Sequence, residues 1–347
     1  MPISHFEARS RRAAVKDFLD GREPLAVIAL PGEDLKDRMR REVLEGLSDP
    51  VRPQIPPTYL YDARGSELYE QITGLPEYYP TRTEARLLEQ IAPMLAAGVS
   101  ASQLVELGSG SSAKTRLLLD ALHGASRRLT YVPIDISQEM LAETAERLVA
   151  AYPGLRVLAL AAPFDDALAL LPPCEHRLVA FLGGTLGNFT PEQQEAFFER
   201  LGAVMGAGNH LLLGFDRRDH AGKPPSLIHA AYNDAQGVTA EFNLNLLTRL
   251  NRELGADFEV SRWRHRANYV EAQQQIEMVL ESRVDQDVCV AGQLFRFRAG
   301  EGILTEISRK FDPEELAAWL ALRGFALQTC WMDPDERFGL MLLRREA

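Results

Sequence analysis

The sequence predicts an α/β fold, a doubly wound and mostly parallel sheet that carries a second α+β lobe. Three observations predict it. Between Gln103 and Phe215, short apolar runs alternate with stretches of helical periodicity, the pattern of a parallel sheet covered on both faces. Near the start of that region, Leu104-Val105-Glu106-Leu107-Gly108-Ser109-Gly110-Ser111-Ser112-Ala113-Lys114-Thr115 reads as a buried strand, a glycine turn and a helix start. After Asp216 the alternation stops: two helical stretches are followed by a run of strands joined by loops, which marks a separate antiparallel unit.

Taken in order, residues 1–30 are mixed, have weak periodicity and are expected to lie over the surface as an extension. From 34 to 47, Leu35, Met39, Val43, Leu44 and Leu47 recur at helical spacing. Residues 51–57 hold three prolines and read as a linker. Residues 75–82, Leu-Pro-Glu-Tyr-Tyr-Pro-Thr-Arg, form an aromatic turn bounded by prolines, and 82–98 a helix leading into the sheet. Strands are then expected at 103–107, 130–136, 155–161, 178–182 and 210–215, with helices at 113–122 and 137–152. Thr190-Pro191-Glu192-Gln193 has the form of a capping box with proline at the first helical position. Helices at 227–235 and 239–254 precede strands at 258–265, 275–283, 288–290 and 293–297. Asp312-Pro313-Glu314-Glu315 starts a helix running to Leu322, and strands at 325–332 and 338–344 return to the main sheet.

Composition narrows the function. A chain of 347 residues with 46% hydrophobic and 25% charged residues is an ordinary globular protein with room for two lobes. Its net charge of −11 argues against a nucleic-acid backbone or an anionic membrane as the main partner. The apolar runs are shorter than the ~20 residues of a membrane helix, and the N-terminal region lacks the apolar core and cleavage site of a secretory signal. Cys174, Cys289 and Cys330 are few and far apart, which suits a reducing compartment such as the cytoplasm. The histidines show no metal-ligand spacing, so no metal is expected.

The chemistry gathers at the ends of the predicted strands, where open α/β sheets bind ligands. Gly108 and Gly110 allow a sharp turn and close approach of a ligand to the backbone. Glu106 lies just before them. A pyrophosphate is repelled by an anion at that place, whereas a cofactor carrying a cationic amino acid end, such as S-adenosylmethionine, is favoured by it; this disfavours a NAD-dependent dehydrogenase. Asp135, at the end of the next strand, can accept both hydroxyls of a ribose, as it would for either cofactor; capping of the following helix is its plain alternative. Lys114, at a helix start where a cation is unfavourable, calls for an anionic partner such as the cofactor's carboxylate, the alternative being a surface lysine. Gly183-Gly184-Thr185-Leu186-Gly187-Asn188-Phe189 lets the backbone approach the reacting centre, and the Asn188 amide can donate to a carboxylate and accept from an amine. For the stretch from Leu104 to Thr115, a tight strand-to-helix turn with no ligand is the plain alternative.

Six segments, Tyr61-Asp62-Ala63-Arg64-Gly65-Ser66, residues 75–82, 104–114, 181–188, 231–243 and 304–311, together resemble the histidine Nα-methyltransferases of ergothioneine biosynthesis. The resemblance runs from about Asp34 to the C-terminus, and its specific parts are residues 75–82 and Thr305-Glu306-Ile307-Ser308. It implies a Rossmann-like methyltransferase sheet with a substrate-binding lobe, and three methyl transfers from S-adenosylmethionine to the α-amine of L-histidine, giving hercynine. It implies a division into an N-terminal extension (1–33), a substrate-binding lobe (34–81 with 219–309) and a methyltransferase domain (82–218 with 310–347). Gly108, Lys114 and Asp135 match cofactor positions, and Glu106, Gly110, Phe164 and Gly183 complete the expected cofactor set. Tyr78, Asn188 and Tyr232 match residues that hold the substrate's amine and carboxylate, and Tyr61 an aromatic near the reacting amine; Tyr61 and Asn188 are the expected catalytic residues. Glu306 and Ser308 match the pair that binds the imidazole, with Met278 as a wall of that pocket. Two residues apart on a strand, Glu306 and Ser308 face the same side. There is one departure: where the family has Gly-Asp-Phe near the adenine, this chain reads Ala162-Pro163-Phe164, and Asp165 or Asp166 is left to supply the missing carboxylate. The expected partner is a small amino acid, with no nucleic acid or membrane, and the expected state a monomer. Methylation of another amino acid or amine, and a cofactor-binding homologue without turnover, are the rival readings.

Overall fold

In the computed structural model the described residues are 17–29, 35–110, 114–125 and 129–346. Eight strands form one sheet: β1 (Leu25–Ala29), β2 (Gln103–Leu107), β3 (Thr130–Asp135), β4 (Arg156–Ala161), β5 (Arg177–Phe181), β6 (His210–Asp216), β12 (Phe325–Met332) and β13 (Phe338–Arg345). Their order is β1-β4-β3-β2-β5-β6-β13-β12. The strands from β1 to β6 pair in parallel, and β13 and β12 add antiparallel. Every residue of β2 and β5 is buried, as the continuous apolar runs require of strands covered on both faces. Alternate side chains feed two different cores. Leu104 and Tyr131 pack with Leu87 and Leu88 of α3 (Tyr79–Gly98), while Val105 and Val132 pack with Phe197 and Phe198 of α7 (Pro191–Val204).

The chain reverses direction across the sheet between β2 and β5, so the crevice at their carboxyl ends is the place for a ligand. Three segments emerge there: the glycine turn before α4 (Thr115–Ala125), Asp135 before α5 (Gln138–Ala151), and the loop after β4 that enters the short α6 (Phe164–Leu168). The capping box expected at Thr190 is present, with reciprocal bonds of 2.9 and 3.3 Å between Thr190 and Gln193. Asp312 caps α10 (Pro313–Ala321) through the amides of Glu314 and Glu315.

The N-terminal reading needs correction. Residues 1–16 and 30–34 lie outside the described residues, but Leu25–Ala29 is an edge strand of the main sheet, paired with β4 from Leu25↔Val157 to Ala29↔Ala161, and not a surface extension. At five residues, with only Ala26 and Ile28 buried, it is too short to stand out as a period-2 pattern. The aromatic turn also folds differently from expectation, since α3 begins at Tyr79 with Pro80 in its first turn.

A separate apolar core, holding Met39, Leu60, Tyr78, Leu246, Trp263, Met278 and Ile303, unites the segments before the main sheet with those after β6. Around it lie α1 (Leu35–Leu47), α2 (Ala63–Thr73), α8 (Pro225–Ala230), α9 (Val238–Leu254), the hairpin β9 (Gln286–Val290) and β10 (Gln293–Phe297), and a three-stranded antiparallel sheet. That sheet has the order β11-β8-β7, from β7 (Trp263–Val270), β8 (Gln275–Ser282) and β11 (Gly302–Arg309). The register of β11 against β8 shifts between Leu304 and Glu306. This bulge turns Thr305 and Glu306 inward in succession, so the buried phase passes from Ile303 and Thr305 to Glu306 and Ser308. Among the described residues no helix is long and apolar enough to cross a membrane.

Candidate active site

A cavity of about 470 Å³ lies between the carboxyl ends of the parallel strands and the second lobe, and all fourteen residues singled out in the sequence line it. Gly108, Gly110, Glu106, Lys114, Asp135, Phe164, Gly183 and Asn188 come from the main sheet and the loops and helix starts after its strands, at the glycine end; Tyr61, Tyr78, Tyr232, Met278, Glu306 and Ser308 come from the segments of the second lobe, at the lobe end. The main sheet and the lobe thus close on one space from segments scattered over most of the chain.

At the glycine end, Gly108 and Gly110 have φ of +74° and +48°, a conformation costly for any residue with a Cβ. The Asp135 carboxylate accepts the Gly110 N–H at 2.9 Å and the Ser137 N–H at 3.1 Å, so it both ties the glycine turn to β3 and caps the entry to α5. Ser137 occupies the N-cap position without a side-chain bond of its own. Glu106 is buried and accepts the hydroxyls of Thr115 and Tyr131, both on the same carboxylate oxygen. Burial pushes its pKa up to about 7 in spite of those bonds. A cationic group brought beside it would return it to the ionised state.

Lys114 has a partner inside the protein. It forms an ion pair with Glu84, a fully buried carboxylate of α3. The other Glu84 oxygen accepts the Gly183 N–H at 2.7 Å. Burial alone would lower the Lys114 pKa, but Glu84, followed by Tyr69 and Glu106, raises it. The expected carboxylate of a cofactor is therefore not required to explain a cation at this helix start: Glu84 joins α3, the glycine turn and the loop after β5. Its trace in the sequence is Gly214, in the middle of an otherwise bulky strand, where any Cβ would collide with the Glu84 carboxylate.

At the lobe end, Glu306 is 8% exposed, and burial raises its pKa to about 7, with Lys310 the single opposing influence. Among the described residues no hydrogen-bond donor reaches its carboxylate. Met278 is its register partner on β8. Behind the bulge, Thr305 donates to Asn243 at 2.7 Å, Asn243 donates to His265 Nδ1 at 3.0 Å, and the other ring nitrogen of His265 donates to the Tyr232 carbonyl at 2.9 Å. These bonds fix a neutral imidazole, in keeping with the burial that lowers its pKa. The same chain of bonds locks the Glu306 strand to the turn that carries Tyr232.

Asn188 closes the 3-10 turn Thr185–Asn188, half-buried, with no protein partner for its amide among the described residues. Gly187 lets that turn lie against β11, since a Cβ there would come within 2.6 Å of the Arg309 carbonyl oxygen. Tyr61, Tyr69, Tyr78, Tyr232 and Phe242 form a continuous aromatic belt, with ring centroids 5.4–6.5 Å apart. Tyr69 and Phe242 escaped the sequence reading because aromatics at helical positions look like ordinary core. Burial drives the pKa of Tyr61 and Tyr78 well above the phenol range, so both stay protonated.

Also unforeseen is a buried charged cluster behind Tyr232. Asp216 takes Lys223 at 2.5 Å, Lys310 at 2.8 Å and the Tyr79 hydroxyl at 2.9–3.0 Å. Burial lowers Lys223 to about 8 against the pull of Asp216, whereas at Lys310 Asp216 and Tyr232 outweigh burial and hold the ammonium firmly charged.

A family described as histidine-specific, S-adenosylmethionine-dependent methyltransferases matches residues 39–345. The chain belongs to this family. The histidine N-alpha-methyltransferase of Mycolicibacterium smegmatis is 42% identical over 91% of this chain and 98% of its own length. That of Mycobacterium tuberculosis is 42% identical over 88% and 94%. Ergothioneine biosynthesis protein 1 of Neurospora crassa is 32% identical over 84% of this chain, which corresponds to 33% of that longer protein.

As in the rest of this methyltransferase family, S-adenosylmethionine is the cofactor. The glycine end fits it: the space beside Gly110 is open, and two carboxylates flank the turn, one able to meet a cation and one a diol. Asp165 pairs with Arg200 at 2.7 Å and Asp166 lies 3.9 Å from Arg38, and neither lines the cavity. Phe164 does line it, 5.9 Å edge-on to Phe181 and in contact range of Gly108.

Proposed function

We propose that this methyltransferase trimethylates the α-amine of free L-histidine, giving hercynine, and that the fourteen residues singled out in the sequence divide as their positions suggest. The carrying observation is Glu306, a buried carboxylate with no hydrogen-bond donor among the described residues, which faces the same cavity as the glycine turn. A carboxylate held this way is an acceptor awaiting a ligand N–H, and an imidazole supplies one. An apolar side chain in that place leaves it unpaired, the strong form of discrimination. Met278 then walls the ring, and Ser308 supplies a hydroxyl.

Bound S-adenosylmethionine supplies an electrophilic methyl group on a sulfonium. Glu106, Gly108, Gly110, Lys114, Asp135, Phe164 and Gly183 would hold it, with Lys114 acting through its pair with Glu84. The remaining task of the chain is to present a neutral amine in line and at near-attack distance. The free amide of Asn188 orients the amine and carboxylate, and Tyr78 and Tyr232 bound the same subsite. Tyr61 faces the reacting nitrogen. Because burial keeps Tyr61 and Tyr78 as phenols, they orient and polarise instead of removing the proton. As methyl groups accumulate, the aromatic belt stabilises the ammonium by cation–π attraction. No covalent enzyme intermediate is needed.

The two lobes divide as 34–81 with 219–309 for substrate and 82–218 with 310–347 for cofactor, β1 being added to the latter. A cytoplasmic monomer acting on a free amino acid accords with the three free cysteines. Incubation with labelled S-adenosylmethionine and a panel of amino acids, read by mass, tests the proposal. Histidine should gain three methyl groups and no other amino acid should gain any. Methylation confined to another amino acid would overturn the substrate, and cofactor binding without transfer to any would leave a binding protein.

A further inference from the structure

Lys310 is 1% exposed in its side chain and its three N–H donors are all engaged: Asp216 at 2.8 Å, the Ser308 hydroxyl at 2.9 Å and the Tyr232 hydroxyl at 3.2 Å. Asp216 is itself held by Tyr79 and Lys223, so the ammonium cannot swing away. The Tyr232 hydroxyl also lies 2.8 Å from the Ser308 oxygen. Each hydroxyl has one proton and two lone pairs. The phenol, the stronger acid, donates to the alkyl oxygen. Ser308 then accepts from both Tyr232 and Lys310, and both its lone pairs are occupied. Its own proton has no acceptor in the cluster and faces the cavity that Ser308, Tyr232 and Lys310 all line.

We propose that Ser308 and Tyr232 offer the substrate one hydroxyl proton between them, and that Lys310, bonded to both oxygens, is the positioning residue that keeps Ser308 a donor toward the cavity. The two side chains are not independent subsites. Removing the Ser308 oxygen releases the Tyr232 proton 2.8 Å away, and removing the Tyr232 oxygen leaves the Ser308 proton free as before, so one donor survives either loss. Through Ser308 the cluster therefore recognises an acceptor atom of the ligand, a ring nitrogen lone pair or a carboxylate oxygen. Glu306, two residues along the same strand, does the reverse when ionised. Together they present one acceptor and one donor, the complement of a neutral imidazole or of any ligand with that pair of polar atoms. This rests on the reading of the cavity as an amino-acid site.

The test is a thermodynamic cycle on histidine affinity, measured by calorimetry with S-adenosylhomocysteine bound so that no turnover occurs. Ser308→Ala and Tyr232→Phe should each weaken binding by no more than about 3-fold, because the surviving hydroxyl takes over. The double variant should weaken it by on the order of 30-fold or more, far beyond the product of the single effects. Single losses that multiply to the double loss would overturn the proposal and make the hydroxyls separate donors. Lys310→Met should weaken binding by roughly 10-fold in the parent and not further in the hydroxyl-free double variant. An undiminished loss in that background would make Lys310 merely structural. If Lys310→Met does not fold, the Ser308–Tyr232 cycle decides alone. A parent protein with no affinity for histidine would overturn the substrate reading itself, a result distinct from multiplying single losses in a parent that binds.

Discussion

Glu106 and Glu306 stand at opposite ends of one cavity, and burial lifts both to a pKa of about 7. They differ in company. Glu106 accepts two hydroxyls, and its neighbour Asp135 accepts two backbone amides, so the glycine end is braced before any ligand arrives. Among the described residues Glu306 accepts no hydrogen bond, and Asn188, which lines the same cavity, has no partner for its amide. The bracing at one end and the unsatisfied carboxylate at the other separate a general cofactor platform from the part of the cavity that selects a substrate. Polar groups that the protein has already paired can tolerate several ligands, whereas an unpaired buried carboxylate demands a particular one.

The largest expected effect follows from that demand. Glu306→Ala should lower kcat/KM for histidine by ~2–4 kcal/mol, mainly through binding, while S-adenosylmethionine affinity measured by calorimetry stays unchanged. Equal histidine turnover would erase the contrast between the two ends and move the imidazole pocket elsewhere. Next in size is Asp135→Ala. It should weaken S-adenosylmethionine binding by ~1.5–3 kcal/mol, part of it through the freed Gly110 and Ser137 amides. Unchanged affinity in a folded variant would leave Asp135 a purely internal brace.

The two ends were not equally legible in the sequence. Glycine turn, Glu106 and Asp135 sit within about thirty positions of one another, on strands whose apolar runs announce themselves. The alternating strand–helix pattern, the capping box at Thr190 and the return of the last two strands all appear in the structure as read. The substrate end is built from α2, α3, the turn at Asn188, the turn at Tyr232, β8 and β11, and only the family resemblance joined those pieces. What no local pattern carries are contacts between distant segments. Glu84 meets Lys114 across thirty positions, and Lys310 meets Asp216 across still more. The bulge at Thr305 is likewise a tertiary event: strict alternation on β11 also puts Glu306 and Ser308 on one face, but on the face opposite Ile303. The edge strand Leu25–Ala29 escaped because its partner, β4, is distant in the chain and its own pattern is short.

The comparison sharpens further with pH. A carboxylate whose pKa is raised by folding contributes stability that is present below its unfolded value, near 4.5, and is lost as pH rises through about 7. For Glu306, facing the cavity without donors, Glu306→Gln should remove that loss. The ligand-free variant should be more stable than the parent by ~1–2 kcal/mol at pH 8, with the difference fading toward pH 5. Thermal or denaturant unfolding across that range reads it. Glu106→Gln should gain less, because its amide must be accommodated beside the hydroxyls of Thr115 and Tyr131. A larger gain at Glu106 than at Glu306 would contradict the idea that the glycine end is the braced one.

The smallest effect concerns Pro163, where the resemblance implies a carboxylate. Pro163 is the N-cap residue of α6, extended at φ −56° and ψ 151°, with no side-chain cap. An aspartate can adopt those angles and accept from the first-turn amides, a gain of about 1 kcal/mol in helix stability. Losing proline frees the unfolded chain by a comparable ~0.4–1 kcal/mol, and Asp165 and Asp166 in the same turn oppose a third anion. The net change in stability is therefore close to zero, which makes cofactor affinity a clean readout. Pro163→Asp should tighten S-adenosylmethionine binding by ~0.5–1 kcal/mol if its carboxylate reaches the ligand as well as the helix. Asp165→Ala and Asp166→Ala should leave that affinity unaltered, since Asp165 is engaged with Arg200 and neither residue lines the cavity. Should Pro163→Asp bind no more tightly, its carboxylate contributes nothing beyond the helix cap. The adenine is then held by the Phe164 ring and by backbone groups, and the glycine end is braced well enough to do without a carboxylate at that place.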